Sequence, residues 1–186
     1  PGSVEELVAF YKPIAAACAP LPFYAYHIPS MTGINLPMVD FLKKGSKEIP
    51  NLNGIKFTSN NFMEMIECIR FDGGRFDILN GFDEMLLCGM AAGARGGVGS
   101  TYNYSLSTYR NLYDAFLAGD IERARAFAQE VMEDESEDAV EVRDYLRMRN
   151  FLRRHENEFE FARSVFGDLV EERARRVSLR IPETEA

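Results

Sequence analysis

Apolar residues recur along the chain with two alternating periods, and this alternation predicts the order of its helices and strands. Between Val4 and Ala19 they recur every three or four residues behind a Ser3–Glu6 capping box, which predicts an amphipathic helix. Short apolar runs bounded by glycine, proline or asparagine predict strands within residues 21–29, 53–59, 75–81 and 94–101. The helices predicted between them lie within residues 37–48, 59–71 and 82–93.

Strands that alternate with helices of this length indicate right-handed βαβ units and a parallel sheet. After Ser105 the pattern is helical only, with predicted helices over residues 105–118, 120–134, 137–154 and 156–176. We therefore predict an α/β domain over residues 1–118 and a C-terminal helical extension over residues 119–186.

Composition and charge narrow the classes of function. The chain has 186 residues, of which 46% are hydrophobic and 27% charged, as is typical of one globular domain. Its net charge of -8 disfavours unaided binding to nucleic acid or to an anionic membrane, since both need a concentrated positive surface. Small anionic substrates stay compatible with this charge, because one cation or one helix N-terminus can hold a carboxylate. No apolar run approaches the roughly 20 residues that span a bilayer, and we expect a cytoplasmic protein.

Cysteines and histidines give no sign of a metal site. Cys18, Cys68 and Cys88 lack C-x-x-C spacing, so they indicate neither a zinc site nor a disulfide framework, and we expect buried free thiols. The two histidines, His27 and His155, lie far apart in the chain and form no H-E-x-x-H motif. We predict no cofactor.

One lysine stands in an apolar strand. Lys56 lies between Ile55 and Phe57, where lysine is rare. On an edge strand it could simply reach solvent and discourage edge pairing. If it is enclosed by apolar groups, however, its neutral amine is favoured, and a neutral amine is a nucleophile that forms imines with ketones.

Polar residues also follow the other predicted strands. The first strand ends at Tyr26–Pro29, the second carries Lys56 and Thr58, the third runs into Asn80–Glu84, and the fourth ends at Gly99–Thr101. Because parallel α/β folds carry their chemistry at the carboxyl ends of strands, four such sets on consecutive strands favour a site.

Each of these residues also has a purely structural interpretation. Tyr26 has the reach and the chemistry of a proton carrier beside an imine, but it could be an aromatic packing residue. Asp83 and Glu84 could cap the helix that follows them, and Ser100 could be a turn residue.

The segments at these strand ends resemble a known family. Read in order, Tyr26–Gly33 (YHIPSMTG), Gly54–Thr58 (GIKFT), Gly81–Glu84 (GFDE) and Gly97–Asn103 (GVGSTYN) resemble the N-acetylneuraminate lyases of the dihydrodipicolinate synthase superfamily. The resemblance covers roughly residues 1–130.

The resemblance implies the C-terminal half of a (β/α)8 TIM barrel, with about four parallel strands that are equivalent to β5–β8, followed by an all-helical C-terminal region. It implies a class I aldolase that cleaves N-acetylneuraminate to pyruvate and N-acetylmannosamine through a Schiff base and without a metal. By matching motif positions, Lys56 is the Schiff-base lysine and Tyr26 the tyrosine that shuttles the proton. Residues implied to line the pocket for the sugar-derived part of the substrate are Thr58, Gly81, Asp83, Glu84 and Ser100. The synthase branch usually has arginine where this chain has Met31, and this difference favours the lyase branch.

The chain departs from the family in two ways. A complete barrel takes about 250 residues, and the loop that holds the pyruvate carboxylate in the family, a Gly-Thr/Ser-Thr/Ser-Gly-Glu motif, is not in the sequence. The acidic run after Glu133 and the arginine-rich segments that follow it do not resemble the family either.

Half a barrel leaves two open edges, so we expect this chain to need a missing N-terminal half, its own copy in a homo-oligomer, or the rest of a longer polypeptide. Two hypotheses follow: a sialic acid lyase half that is active when completed, or a non-catalytic half-barrel or assembly module of the same ancestry. A third alternative is a lyase of another 2-keto acid in the same superfamily.

Overall fold

The computed structural model describes residues 1–103 and 105–134, where helices and strands alternate. The elements in chain order are α1 (Val4–Cys18), β1 (Phe23–His27), α2 (Pro29–Thr32), α3 (Met38–Glu48), β2 (Leu52–Phe57), α4 (Phe62–Arg70), β3 (Asp77–Asn80), α5 (Leu86–Ala92), α6 (Leu106–Leu117) and α7 (Ile121–Asp134). Turns of 3₁₀ helix lie at Phe71–Gly74, Asp83–Met85 and Thr101–Asn103.

The chain divides into two units, Pro1–Gln129 and Glu130–Ala186. The fold described below is that of the first unit. The helices predicted at residues 137–154 and 156–176 lie outside the described residues, and the boundary predicted between residues 118 and 119 stays a prediction.

Local sequence sets the ends of the helices as predicted. Ser3 caps α1, where its Oγ accepts a hydrogen bond from the backbone N–H of Glu6 at 3.2 Å. Asn61 caps α4 in the same way, through a 3.3 Å hydrogen bond from the backbone N–H of Glu64. These side chains satisfy N–H groups that have no partner within the helix, so the two helices begin where the sequence indicates.

The sheet is parallel, with strand order β1-β2-β3, which confirms the predicted α/β class. The predicted fourth strand is reduced to one parallel bridge between Asn80 and Gly97. In that bridge the N–H of Asn80 donates to Gly96 O at 3.0 Å, and the N–H of Val98 donates to Asn80 O at 2.9 Å. The segment is rich in glycine and offers few side chains that could pack on either face, so little holds it in a longer ladder.

The two faces of the sheet differ in burial. Ala25, Ile55 and Ile78 lie side by side on the first face and are buried with residues of the helices, among them Phe41 and Met65. This face contains the hydrophobic core. Burial of this face explains why apolar residues are so frequent in the sequences of the three strands.

The second face of the sheet, here called the open face, carries Tyr24, Tyr26, Lys56, Asp77 and Leu79, each of them exposed or only half-buried. Its side chains alternate with those of the core face along each strand, as the two-residue period of a strand requires. No helix or strand of the described residues covers this face, as we expect of half a barrel.

Gly54 allows a contact across the open face. The Tyr24 hydroxyl donates a hydrogen bond to Asp77 Oδ2 at 3.0 Å and so reaches over β2 from β1 to β3. A Cβ on residue 54 would lie 2.8 Å from the Tyr24 ring and 1.8 Å from the Asp77 backbone oxygen. Glycine is therefore required between the two. Burial, followed by the contact with Asp77, raises the pKa of Tyr24.

The cysteines are not all buried. Cys68 is buried in the core, but Cys18 and Cys88 are exposed, so the prediction of buried thiols is wrong for two of the three. The prediction failed for Cys18 and Cys88 because the apolar stretches around them are too short to show which face of the helix points to the core. Among the residues described, no helix has the length and apolar character to cross a bilayer.

Candidate active site

Lys56 and Tyr26 form the centre of the candidate site. They are register partners on β2 and β1, so both side chains project from the open face at the same level. Lys56 Nζ lies 3.2 Å from the Tyr26 hydroxyl oxygen and 4.2 Å from the centroid of the Tyr26 ring. The structure thus places an amine and a phenol within direct proton-transfer distance.

Both members of this pair are accessible. Tyr26 is 45% exposed and Lys56 is half-buried, so among the described residues Lys56 is not fully enclosed by apolar groups, the condition that would favour its neutral amine. Within the described part of the chain, no helix or strand packs over the open face, so water reaches both groups. No carboxylate of the described residues pairs with Lys56, whereas Lys12, Lys43 and Lys44 each form an ion pair on the helices.

The backbone of β1 is held from the other side of the strand. The Tyr11 hydroxyl of α1 donates to the backbone oxygen of Tyr26 at 3.2 Å. Tyr11 packs its ring against Phe23 and Phe41, with centroid distances of 5.4 and 5.8 Å. Burial raises the pKa of Tyr11, so this phenol keeps its proton and stays a donor.

Thr58 and Gly81 meet just beyond the ends of β2 and β3. The N–H of Gly81 donates to Phe57 O at 2.9 Å, which prolongs the ladder by one step. Thr58 is buried, and its Oγ1 has no hydrogen-bond partner among the residues that the structure describes. A buried hydroxyl without a partner is costly unless a water or a ligand completes it.

Asp83 is buried and makes specific contacts. Its Oδ2 accepts hydrogen bonds from the backbone N–H of Thr101 at 2.8 Å and from the Thr101 hydroxyl at 2.7 Å. Glu84 and Ser100 are exposed, one residue after Asp83 and one residue before Thr101. The Ser100 backbone oxygen accepts from the N–H and the side-chain amide of Asn103, at 3.2 and 2.9 Å.

His27 belongs to the opposite face of the sheet. It is 4% exposed, and its ring lies 4.8 Å from that of Phe57 on the core face. Its Nε2 has no hydrogen-bond partner within residues 1–103 and 105–134, and burial lowers the pKa of His27 to about 4. It is therefore a neutral core residue, although it follows Tyr26 directly in the sequence.

The predicted site residues form three contact groups at neighbouring strand ends. These groups are Lys56 with Tyr26, Thr58 with Gly81, and Asp83 with the segment that carries Ser100. Sequence reasoning missed the part played by Thr101, although Thr101 stands in the GVGST motif directly after Ser100.

Comparison with known proteins shows which family and which solved structures the chain is similar to. The model of the dihydrodipicolinate synthetase family matches residues 1–151. The chain is similar to N-acetylneuraminate lyase B of Xenopus laevis, with 42% identity over 125 residues that cover 67% of this chain and 47% of that protein. It is also similar to N-acetylneuraminate lyase of Gallus gallus, with 36% identity over 128 residues that cover 68% of this chain and 42% of that protein.

Solved structures show the same likeness. N-acetylneuraminate lyase (sialic acid aldolase) from Aliivibrio salmonicida superposes with a TM-score of 0.67 and 38% identity, covering 78% of this chain and 46% of that chain. The chain therefore spans about half the length, or less, of each of these proteins.

Proposed function

The chain belongs to the dihydrodipicolinate synthetase family, and from that membership we propose that it supplies Lys56 and Tyr26 to a Schiff-base aldolase site that cleaves N-acetylneuraminate. The observation that carries the proposal is the 3.2 Å contact between Lys56 Nζ and the Tyr26 hydroxyl on adjacent strands. Similarity to named N-acetylneuraminate lyases supports the choice of substrate.

The first step joins Lys56 to the substrate. The neutral amine attacks the ketone carbon of the open-chain 2-keto acid, a C–N bond forms, and water leaves as the protonated imine appears. Tyr26 lies close enough to Nζ to carry a proton from the nitrogen to the former ketone oxygen and then to give its own proton to the departing water, which leaves Tyr26 as a phenolate for the next step. The cation–π contact of Lys56 with the Tyr26 ring keeps the two side chains together.

The second step breaks a carbon–carbon bond. The Tyr26 oxygen takes the proton of the hydroxyl on the β-carbon, the α–β bond breaks, and an aldehyde leaves. The electron pair of that bond moves into the imine and gives an enamine. Protonation of the enamine and addition of water release pyruvate and restore the Lys56 amine.

The sugar-derived part of the substrate needs fixed hydrogen-bond partners, because it is a chain of hydroxyl groups. The residues we assign to it are Thr58, Gly81, Asp83, Glu84 and Ser100. The unpartnered Thr58 hydroxyl favours this assignment, since a substrate hydroxyl would satisfy it.

A complete site requires a second half-barrel. In the described part of the chain the side chains of the open face are exposed or half-buried, β1 is an edge of the sheet, and α1 exposes Phe10 (55%) and Ile14 (41%) one turn apart. We propose that an amino-terminal half of the same fold covers these surfaces, encloses Lys56 and supplies the group that holds the pyruvate carboxylate.

The exposure of Lys56 and Tyr26 favours a second candidate function, a non-catalytic half-barrel that retains the residues of its ancestry. The imine chemistry separates the two candidates. A lyase of a different 2-keto acid would share Lys56 and Tyr26 and would differ in the groups around Thr58 and Ser100.

The test is reductive trapping. The chain is incubated with pyruvate and sodium borohydride, and the modified lysine is located by peptide mass spectrometry. We expect an adduct on Lys56, with Lys12, Lys43, Lys44 and Lys47 as internal controls. Lys56→Arg, which keeps the positive charge but forms no imine, is the matched control. No adduct, or equal labelling of all five lysines, would contradict the proposal and favour the non-catalytic half-barrel.

Completion by the second half is tested by turnover. Co-expression with the amino-terminal half of the Aliivibrio salmonicida lyase should give cleavage of N-acetylneuraminate that neither half shows alone. Cleavage by the isolated chain at the same rate would contradict the need for a second half.

A further inference from the structure

Two backbone segments that are distant in sequence meet at one buried carboxylate. Asp83 begins the 3₁₀ turn after β3 and is 6% exposed, and Thr101 begins the turn after the fourth strand segment and is 8% exposed. Asp83 Oδ2 accepts both the backbone N–H and the hydroxyl of Thr101, at 2.8 and 2.7 Å. One oxygen thus fixes both the main chain and the side chain of residue 101.

The Thr101 hydroxyl is itself anchored. It lies 2.8 Å from the hydroxyl of Tyr109, a residue of α6 that is 3% exposed. A threonine hydroxyl carries one proton, and the Asp83 oxygen already acts as an acceptor from a backbone N–H. Thr101 therefore donates to Asp83 and accepts from Tyr109. The chain of hydrogen bonds connects the body of α6 to the end of β3.

The residue before Ser100 also touches the same carboxylate. A Cβ on Gly99 would lie 1.7 Å from Asp83 Oδ1 and 2.0 Å from the carboxylate carbon. The backbone at 99 can therefore approach Asp83 this closely only because it has no side chain. Gly99 and Thr101 flank Ser100, so both neighbours of this exposed serine are held against Asp83.

We propose that Thr101 is a positioning residue. It fixes the position of Ser100 relative to Glu84 and thereby controls how the chain binds the part of the substrate beyond the imine. This inference rests on the proposed function, in which Ser100 and Glu84 contact the hydroxyl groups of the substrate. Thr101 is buried and acts through its neighbours. Imine formation at Lys56 uses β1 and β2 and makes no use of this network.

That separation gives a test with two keto acids. The unmodified 186-residue chain and its variants are titrated with pyruvate and, separately, with N-acetylneuraminate, and borohydride trapping at Lys56 is quantified by mass spectrometry. Thr101→Val removes the hydroxyl and keeps the shape and the backbone N–H. Thr101→Ser restores the hydroxyl. Thr108→Val is the matched control, because it makes the same substitution at another buried threonine, which lies in α6.

We expect Thr101→Val to trap pyruvate like the unchanged chain and to raise the half-saturating concentration of N-acetylneuraminate about tenfold, the effect of losing one good hydrogen bond. Thr101→Ser should bring that concentration back to within about twofold, and Thr108→Val should not change it. Hydrogen exchange of the peptide over residues 97–103 should be faster in Thr101→Val only.

The outcomes are distinguishable. Lack of pyruvate trapping by the unchanged chain would defeat the proposed function and this inference with it. Normal pyruvate trapping with an unchanged response to N-acetylneuraminate in Thr101→Val would overturn this inference alone. Pyruvate trapping without N-acetylneuraminate trapping by the unchanged chain would overturn this inference and the choice of N-acetylneuraminate as substrate. If Thr101→Val does not fold, Tyr109→Phe takes its place, because it removes only the hydroxyl that bonds to Thr101. It must weaken trapping of N-acetylneuraminate and leave trapping of pyruvate unchanged. Equal weakening for both keto acids would overturn the inference.

Discussion

The Thr58 hydroxyl lies where a side chain at Gly81 would begin. A Cβ on residue 81 would be 2.0 Å from Thr58 Oγ1 and 3.0 Å from Thr58 Cβ. The two residues lie beyond the ends of neighbouring strands, and their backbones are joined by the hydrogen bond from Gly81 N–H to Phe57 O. Only glycine at position 81 leaves the threonine hydroxyl where it is.

Gly81→Ala should displace Thr58 and lower the free energy of unfolding by about 1–3 kcal/mol, as overpacking does in a tight site. We further expect N-acetylneuraminate trapping at Lys56 to weaken more than pyruvate trapping. Urea unfolding and borohydride trapping measure the two effects. Gly96→Ala is the control, because a Cβ there meets only Leu79, at an ordinary 3.7 Å. Equal effects of both substitutions would show that Gly81 has no special relation to Thr58.

Tyr26→Phe tests the proton carrier, and Tyr24→Phe is its matched control on the same strand and the same face. Loss of the Tyr26 phenol should slow formation of the Lys56 adduct about 100-fold, since general acid–base groups contribute 10²–10⁴. Tyr24→Phe loses the hydrogen bond that the phenol donates to Asp77 and the one it accepts from Asn53, and it should slow the adduct by no more than about twofold. Rates come from borohydride quenches at a series of times. Comparable slowing in both variants would assign Tyr26 a packing role.

The sequence predicted most of the scaffold because its signals are local. The cap of α1 at Ser3, the strand of Lys56 and the parallel order of the strands depend on spacing and on residue type over a few positions. The pairing of Lys56 with Tyr26 follows once both strands are parallel neighbours.

The features that the sequence did not predict depend on contacts between segments that are distant in sequence. The bond of Asp83 to Thr101 and the reach of Tyr24 to Asp77 across Gly54 have no local pattern. The segment at residues 94–101 looks like a strand by composition, yet it forms only one bridge, because its glycines leave few side chains that could pack on either face.

Thiol reactivity should separate the three cysteines. Burial, reinforced by the charges of Glu64 and Glu67, raises the pKa of Cys68 to about 12, and its side chain is inaccessible. Because the thiolate is the reactive form, we expect Cys18 and Cys88 to react with iodoacetamide in the native protein while Cys68 reacts at least about 100-fold more slowly. Peptide mass spectrometry gives the extent at each site, and labelling in urea is the control. Rapid native labelling of Cys68 would contradict the packing of α4 on the sheet.

Titration of His27 should make stability depend on pH in a defined window. The pKa of His27 is lowered to about 4 in the folded chain, against 6.5 as the ordinary value of histidine. Between these two pH values the unfolded chain binds a proton that the folded chain does not. The stabilisation that the neutral His27 contributes to the folded chain is therefore fully present above pH 6.5 and is lost as the pH falls to 4, by about 3 kcal/mol.

Carboxylates also titrate near the lower end of that window, so the test is a difference between variants. His27→Phe keeps an aromatic ring against Phe57 and cannot be protonated. Urea unfolding at several pH values from 7.5 to 4 should show a shallower loss of stability for His27→Phe than for the unchanged chain, by about 3 kcal/mol over the range. Parallel pH dependences for the unchanged chain and His27→Phe would mean that the buried imidazole is protonated as readily in the folded chain as in the unfolded one, and that the core face at the end of β1 is open to water.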